Sequence, residues 1–197
     1  MTNEQTNVRT TLPFSLCQAG TFRVLTRTPL ELKAYSGANA LLQPGTTKGL
    51  RKALVESGHA WAASLNVPYH RINRLRVALK VVPLPTKRSG WFPDEAARPP
   101  LPVMYIGKLG CHLQSIGEGK AAVWVATLDP LSFVRVPNVR ILIEEALLDE
   151  VKLWLLTVTV NEAATTLAVQ KNAVKVLRRF FGLDATKSPV THAELFV

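Results

Sequence analysis

The chain has 197 residues, a length that suits one compact domain or two small lobes, and its 47% hydrophobic and 19% charged residues exclude bulk disorder. Lysine and arginine number 24 against 14 acidic residues, so the formal net charge is +10. This excess predicts attraction to polyanions, either nucleic acid or an anionic membrane surface, and composition leaves both open.

The sequence shows no spanning or secretory segment. No window approaches about eighteen uncharged apolar residues, and the polar opening MTNEQTNVRTTLPF lacks the order of a signal peptide. We therefore expect a cytoplasmic protein that is neither secreted nor transmembrane. Cys17 and Cys111 are the only cysteines, which argues against a disulfide scaffold. Cys111-His112 has no partner pair at metal-ligand spacing, so we expect no metal site.

The positive charge is regional. Residues 1–140 hold 18 basic and 7 acidic residues, whereas residues 141–197 hold 6 and 7. Between Glu56 and Asp94 there is no acid at all. The basic residues of that stretch are predicted to form one binding face: Arg71, Arg74, Arg76, Lys80, Lys87 and Arg88.

The first elements follow a polar arm, predicted over 1–15, which precedes a single α+β domain over 16–197. Residues 22–27 roughly alternate between apolar and polar side chains, which indicates a strand. Thr46 or Thr47 is predicted to cap a helix that runs to about Leu65.

The segment from Arg74 to Val82 reads RLRVALKVV and predicts a half-buried antiparallel strand. Its alternation would place Arg74, Arg76 and Lys80 in a row facing solvent. Such a row would bind phosphates or lipid headgroups, or it would be an ordinary solvated sheet face, and the pattern favours neither.

A long proline-rich loop is predicted over 83–102, because prolines this dense exclude helix and central strand. At its centre Lys87-Arg88 precede Trp91-Phe92. Cations beside exposed rings suit insertion into a membrane interface or stacking on bases. The alternative is that Trp91 folds back as a lid on the sheet.

The second half of the chain predicts strands followed by a helix. Strands are predicted over 103–106, 109–116, 121–128 and 151–160. Residues 139–148 are compatible with strand or helix. Asn161 is predicted to cap a helix that ends at Gly182, with Arg178 on its outward face. The fold class is therefore α+β, a mainly antiparallel sheet packed with two principal helices in one compact domain.

Signs of catalysis are nearly absent from the sequence. Four histidines are scattered, and no glycine-rich phosphate loop, nucleophile elbow or zinc-protease motif occurs. We therefore expect a non-enzymatic protein without a cofactor.

The chain is basic and begins with a polar arm. Two short stretches add to these features, Gly20–Leu25 and Cys111–Gln114 followed by Gly119–Val125. Together these features resemble the matrix proteins of negative-strand RNA viruses, particularly rhabdoviruses. The resemblance implies a virion protein that condenses the nucleocapsid and coats the inner membrane face. The PPxY motif that the family commonly carries near its N-terminus has no counterpart there, since the only proline pair is Pro99-Pro100.

The leading hypothesis is a matrix-like assembly protein that binds anionic membrane and ribonucleoprotein and self-associates. The rival is an RNA-binding module in which a basic strand follows the phosphate backbone. A third possibility is a small hydrolase or transferase whose site the sequence does not reveal. The candidate binding residues are Arg71, Arg74, Arg76, Lys80, Lys87, Arg88, Trp91 and Phe92.

Overall fold

The structure is a computed structural model that describes residues 12–52, 54–55, 69–81, 104–106, 111–117 and 121–185. Nine strands occur in these ranges: β1 Ser15–Ala19, β2 Phe22–Thr26, β3 Lys33–Tyr35, β4 Ala40–Leu42, β5 Met104–Ile106, β6 Cys111–Ile116, β7 Val123–Thr127, β8 Phe133–Arg135 and β9 Ile141–Glu144. The helices are α1 (47–52 and 54–55), α2 Tyr69–Ala78, α3 Leu148–Thr157, α4 Val160–Thr166 and α5 Lys171–Phe180.

The strands form two sheets. Sheet A has the order β1-β2-β9-β8 and sheet B the order β3-β4-β7-β6-β5. One pair in each sheet is parallel, β2 with β9 and β4 with β7, and the other pairs are antiparallel. The chain is thus a single compact α+β domain with mainly antiparallel sheets, which confirms the predicted class.

The two sheets share a buried apolar cluster. Phe22, Val24 and Leu142 of sheet A lie in the same cluster as Leu41 and Val125 of sheet B. Since neighbouring side chains on a strand point to opposite faces, these residues line the inner face of each sheet.

Gln114 adds a polar link between the sheets. Its Nε2 donates to the Phe133 carbonyl over 3.1 Å, and its Oε1 accepts from the Phe133 N–H over 3.0 Å. One side chain on β6 thereby hydrogen-bonds to the backbone of β8 on the other sheet.

Helices cover the outer face of each sheet. The outer side chains of sheet B, including Leu42, Leu113 and Trp124, pack with residues of α1 and α2. Those of sheet A, including Leu25 and Ile143, pack with residues of α3, α4 and α5. The order is therefore helix, sheet, sheet, helix. We name α1 and α2, together with residues 79–81 that follow α2, the first helical layer, and α3 to α5 the second.

The strand predicted over 74–82 is wrong, because residues 74–78 lie in helix α2 and residues 79–81 end it. Ile72, Leu75 and Leu79 are buried at spacings of three and four, so they form one helical face against sheet B. Val77, which a strand would bury beside Leu75, is 60% exposed. The helix ends in a Schellman motif, in which Lys80 has a positive φ of 56° and the Val81 N–H bonds to the Arg76 carbonyl.

The strand predicted over 151–160 is also wrong. Helix α3 covers most of it and buries Val151, Trp154 and Leu155, while Leu153 is 55% exposed. The prediction failed because a run that is apolar on both faces is compatible with a covered strand and with a buried helix alike. The ambiguous segment 139–148 contains β9 and then turns helical.

The helix predicted from Asn161 to Gly182 is divided into α4 and α5, and Ala168 between them has a positive φ of 49°. Arg178, expected to face outward, is buried on α5. The strands predicted at 22–27, 109–116 and 121–128 are confirmed as β2, β6 and β7.

Candidate anion-binding groove

The predicted row of Arg74, Arg76 and Lys80 is not formed, because a helix distributes these side chains around its axis. Arg71 and Arg76 are only 6% and 4% exposed, whereas Arg74 and Lys80 are exposed. The other predicted site residues, Lys87, Arg88, Trp91 and Phe92, lie outside the described residues.

Arg71 links helix α2 to sheet B. Its Nη1 donates to the Ala122 carbonyl over 2.6 Å, just before β7 begins. Burial, together with the positive charge of Arg74, lowers the pKa of Arg71 from its ordinary value. This arginine therefore anchors the helix rather than presenting a charge on the surface.

Arg76 links the two helices of the first layer. Its Nη1 donates to the Leu54 carbonyl of α1, so the guanidinium group lies where α1 and α2 meet. A charge-assisted bond to a backbone carbonyl fixes the separation of the two helices at this point.

A groove of about 360 Å³ opens where α1 approaches the end of α2. Its described lining consists of four cations and two valines: Arg51, Lys52, Val55, Arg76, Lys80 and Val81. Arg51, Lys52 and Lys80 are exposed, and none of the three forms an ion pair within the described part of the chain. The described lining contains no carboxylate.

This arrangement suits binding of an anion. Cations gathered around a concave surface with apolar walls raise the local positive potential and attract phosphate groups. Lysine ammonium groups bind phosphate as point charges, and a guanidinium group can bind it through two parallel bonds. Val55, 65% exposed, gives the groove an apolar wall that a purely electrostatic site does not need.

Arg51 and Lys52 were missed as site residues by sequence reasoning, although both lie in the helix predicted from Thr46 or Thr47. Arg51 and Val55 are four residues apart and therefore share a helical face. Their convergence with Lys80 could not be predicted while residues 74–82 were interpreted as a strand.

No family model matches the chain, and neither a curated protein nor a solved structure matches it. Among the described residues, no group of three or more potential metal ligands occurs. The same residues include no helix that is long and apolar enough to cross a membrane.

Proposed function

We propose that this protein is a basic, non-enzymatic assembly protein of the matrix type, which binds polyanionic partners through the groove of the first helical layer. The single observation that carries the proposal is the charge of that layer. Its described residues, 47–52, 54–55 and 69–81, contain seven cations and no acid. A surface that carries only positive charge attracts polyanions, and salt weakens that attraction by screening it.

The groove supports RNA or a ribonucleoprotein as one partner. Arg51, Lys52 and Lys80 lie around a concavity, so phosphates of a flexible strand can approach several cations at once. Binding through phosphates is independent of base sequence and depends steeply on salt. If this were the whole activity, the protein would be an RNA-binding module, which is the second candidate function.

Exposed apolar side chains support an anionic membrane surface as the other partner. Val55 on α1 and Val77 on α2 are 65% and 60% exposed in a layer that also exposes Lys52, Arg74 and Lys80. Apolar side chains interspersed with cations are typical of surfaces that bind at the lipid headgroup region. A protein that binds both partners and self-associates would act in the cytoplasm, at the inner membrane face and in the virion, as the matrix resemblance implies.

The proposal is tested by measuring how the wild type and one variant bind each of the two ligands, vesicles and RNA. Sedimentation with vesicles containing phosphatidylserine and gel shift with single-stranded RNA are carried out at about 50 and 200 mM salt, because affinity that depends on several phosphate contacts falls steeply between these concentrations. The variant Arg51→Gln/Lys52→Gln/Lys80→Gln removes the exposed cations of the groove. Neutral phosphatidylcholine vesicles serve as the lipid control.

A matrix-type protein binds both ligands, and the triple variant weakens both. Binding of RNA but not of vesicles supports the RNA-binding module. If the protein binds neither RNA nor vesicles, both candidate functions are refuted. Sedimentation velocity over a range of protein concentrations tests self-association. We expect oligomers that grow as salt screens repulsion between the basic layers.

A further inference from the structure

Strand β1 forms an open edge of sheet A. It stands first in the order β1-β2-β9-β8, so among the described strands its only neighbour is β2. The outer side of an edge strand presents backbone N–H and C=O groups to which a strand of another chain can bond. The register of the β1–β2 hairpin shows which groups these are.

The hairpin turn fixes the direction of each backbone group. Gly20 and Thr21 connect Ala19 to Phe22, and Gly20 has a positive φ of 59°, which is typical of a two-residue hairpin turn. Ala19 and Phe22 therefore form a hydrogen-bonded pair, and such pairs alternate along the two strands. Cys17, two residues before Ala19, is the next residue whose N–H and C=O groups face β2.

Leu16 and Gln18 have their N–H and C=O groups on the outer side of β1. A bond of β2 agrees with this direction, because the N–H of Arg23, opposite Gln18, donates away from β1 to the Arg140 carbonyl over 2.9 Å. Among the described residues, none forms a hydrogen bond to the backbone groups of Leu16 and Gln18. The edge therefore offers two donors and two acceptors.

β1 lacks the features that usually protect an edge strand. Its five residues, Ser15–Ala19, include no charged residue and no proline, and Gln18 is exposed. The other described edge strands, β3, β5 and β8, have three residues each, and two of them carry a cation, Lys33 or Arg135. Short strands and charged side chains discourage pairing between chains, so β1 is the described edge most suited to a partner.

The segment that follows β2 packs beneath β1 and leaves its edge open. The Leu32 N–H donates to the Cys17 sulfur, and Cys17 packs against the cluster shared by the two sheets. Because strand side chains stand roughly perpendicular to their sheet, this contact places Leu32 over the inner face of β1.

We propose that β1 pairs antiparallel with β1 of a second copy, so that two four-stranded sheets A join into one continuous sheet. The pairing centres on Cys17, because Leu16 of each copy then exchanges two hydrogen bonds with Gln18 of the other. The strand is thus complementary to itself, and its lack of charge lets two chains of net charge +10 meet without cations opposite each other. The proposal rests on the self-association in the proposed function and names the surface that produces it.

The test uses substitutions of Gln18. Gln18→Pro removes an outward N–H group and no bond between β1 and β2, and proline is tolerated in an edge strand where its nitrogen faces solvent. Gln18→Lys keeps the backbone groups and places two cations close to the centre of the pairing. Gln18→Thr keeps the N–H group and is the matched control. Sedimentation velocity over a range of protein concentrations measures association, and circular dichroism verifies the fold of each variant.

The wild type and Gln18→Thr should dimerise alike. Gln18→Pro should weaken the dimer by about tenfold or more, since each copy loses one hydrogen bond across the interface, and Gln18→Lys should weaken it through repulsion. Oligomers that persist unchanged in both folded variants overturn the proposal and leave self-association standing, whereas a monomeric wild type overturns both. These variants keep the cations of the groove, so their binding to RNA and vesicles tests the rest of the proposed function separately.

The register has a test of its own. The Cα atoms of a non-hydrogen-bonded antiparallel pair lie about 4.5 Å apart, a separation that a disulfide can span. Oxidation with copper–phenanthroline should therefore link the wild type and Cys111→Ala into covalent dimers on non-reducing electrophoresis, and Cys17→Ala should stay unlinked. Absence of the link in the wild type overturns the register centred on Cys17, and equally fast linking of Gln18→Pro overturns pairing through the edge.

Discussion

The two helical layers cover similar apolar sheet faces, yet they differ in how they carry charge. The described residues of the first layer hold seven cations and no acid, whereas residues 148–180 of the second hold five cations and three acids. In the second layer Glu150 pairs with Arg27 over 3.2 Å and Glu162 completes a capping box with Thr159. Covering a sheet therefore does not require a one-sided charge, and the excess on the first layer is the observation on which the proposed polyanionic partner depends.

The buried arginines differ in a similar way. Arg71 and Arg76 in the first layer donate to carbonyls of neighbouring elements. Arg178 in the second layer is also buried, but among the described residues its Nε and Nη1 have no hydrogen-bond partner. Burial of an arginine thus stabilises contacts between elements in the first layer and leaves an uncompensated group in the second.

The largest expected effect concerns the exposed charges of the two layers. Arg51→Gln/Lys52→Gln/Lys80→Gln should weaken binding to anionic vesicles or RNA by about two orders of magnitude, at about 1 kcal/mol for each cation near an anionic surface. The matched set in the second layer, Lys152→Gln/Lys171→Gln/Arg179→Gln, removes the same number of charges.

Equal losses for the two triple variants would mean that total charge alone governs binding, and the distinction between the layers would fail. The affinities of the two triple variants for the same RNA are compared by titration at low salt, because screening at high salt reduces the difference between them.

The buried arginines give the next effect. Arg76→Met should destabilise the protein by about 1.5–3 kcal/mol, the usual contribution of a hydrogen bond to a charged group. Arg178→Met should be neutral or stabilising, because it replaces a buried cation lacking partners at two nitrogens with an apolar side chain. Urea unfolding measures both. A larger loss for Arg178→Met would show that its guanidinium makes a stabilising contact.

A smaller effect is expected at the start of α4. The Glu162 N–H donates to the Thr159 hydroxyl over 3.1 Å, so Thr159→Ala should reduce the free energy of unfolding by about 1 kcal/mol. Hydrogen bonds from the backbone and the side chain of Thr159 lower the pKa of Glu162. A carboxyl group with a lowered pKa stabilises the fold above its unfolded pKa, and that contribution is lost as pH falls through the folded value.

The wild type should therefore lose part of the stability that the capping box contributes when the pH falls below the ordinary glutamate pKa of about 4.3. Glu162→Gln keeps an acceptor and cannot titrate, so its stability should show a flatter pH dependence in that range. Thermal unfolding between neutral and acidic pH measures the difference, and parallel curves for the two proteins would contradict the assignment.

The smallest effect distinguishes the two cysteines. Burial raises the pKa of Cys111 to about 11, and this thiol lies in the core beneath the first layer. Cys17 on β1 is half-buried, and burial raises its pKa as well. A disulfide reagent at mildly alkaline pH should label Cys17 first and reach Cys111 only on unfolding. Labelling of Cys17→Ala at the wild-type rate would show that the first layer opens readily.

Part of the fold could be predicted from local pattern. Alternation indicates β6, and a short apolar, β-branched run indicates β7, which is buried at every position. Both strands could be predicted locally because an antiparallel neighbour in sequence supplies each with its partner. The prediction of a strand over 74–82 was wrong because RLRVALKVV fits both the two-residue period of a strand and the 3.6-residue period of a helix. Leu75 and Leu79 fit both an alternating strand and a helical face.

What the sequence by itself determined is the amount and location of positive charge, since no fold changes the absence of acid between Glu56 and Asp94. What only the tertiary structure decided is which cations face solvent. Arg76 bonds to a carbonyl of α1, while Lys80, four residues later, stays exposed beside Arg51 and Lys52. The physical reason is that sheet B buries one face of α2, so contacts distant in sequence separate the anchoring arginines from the cations that stay exposed to solvent.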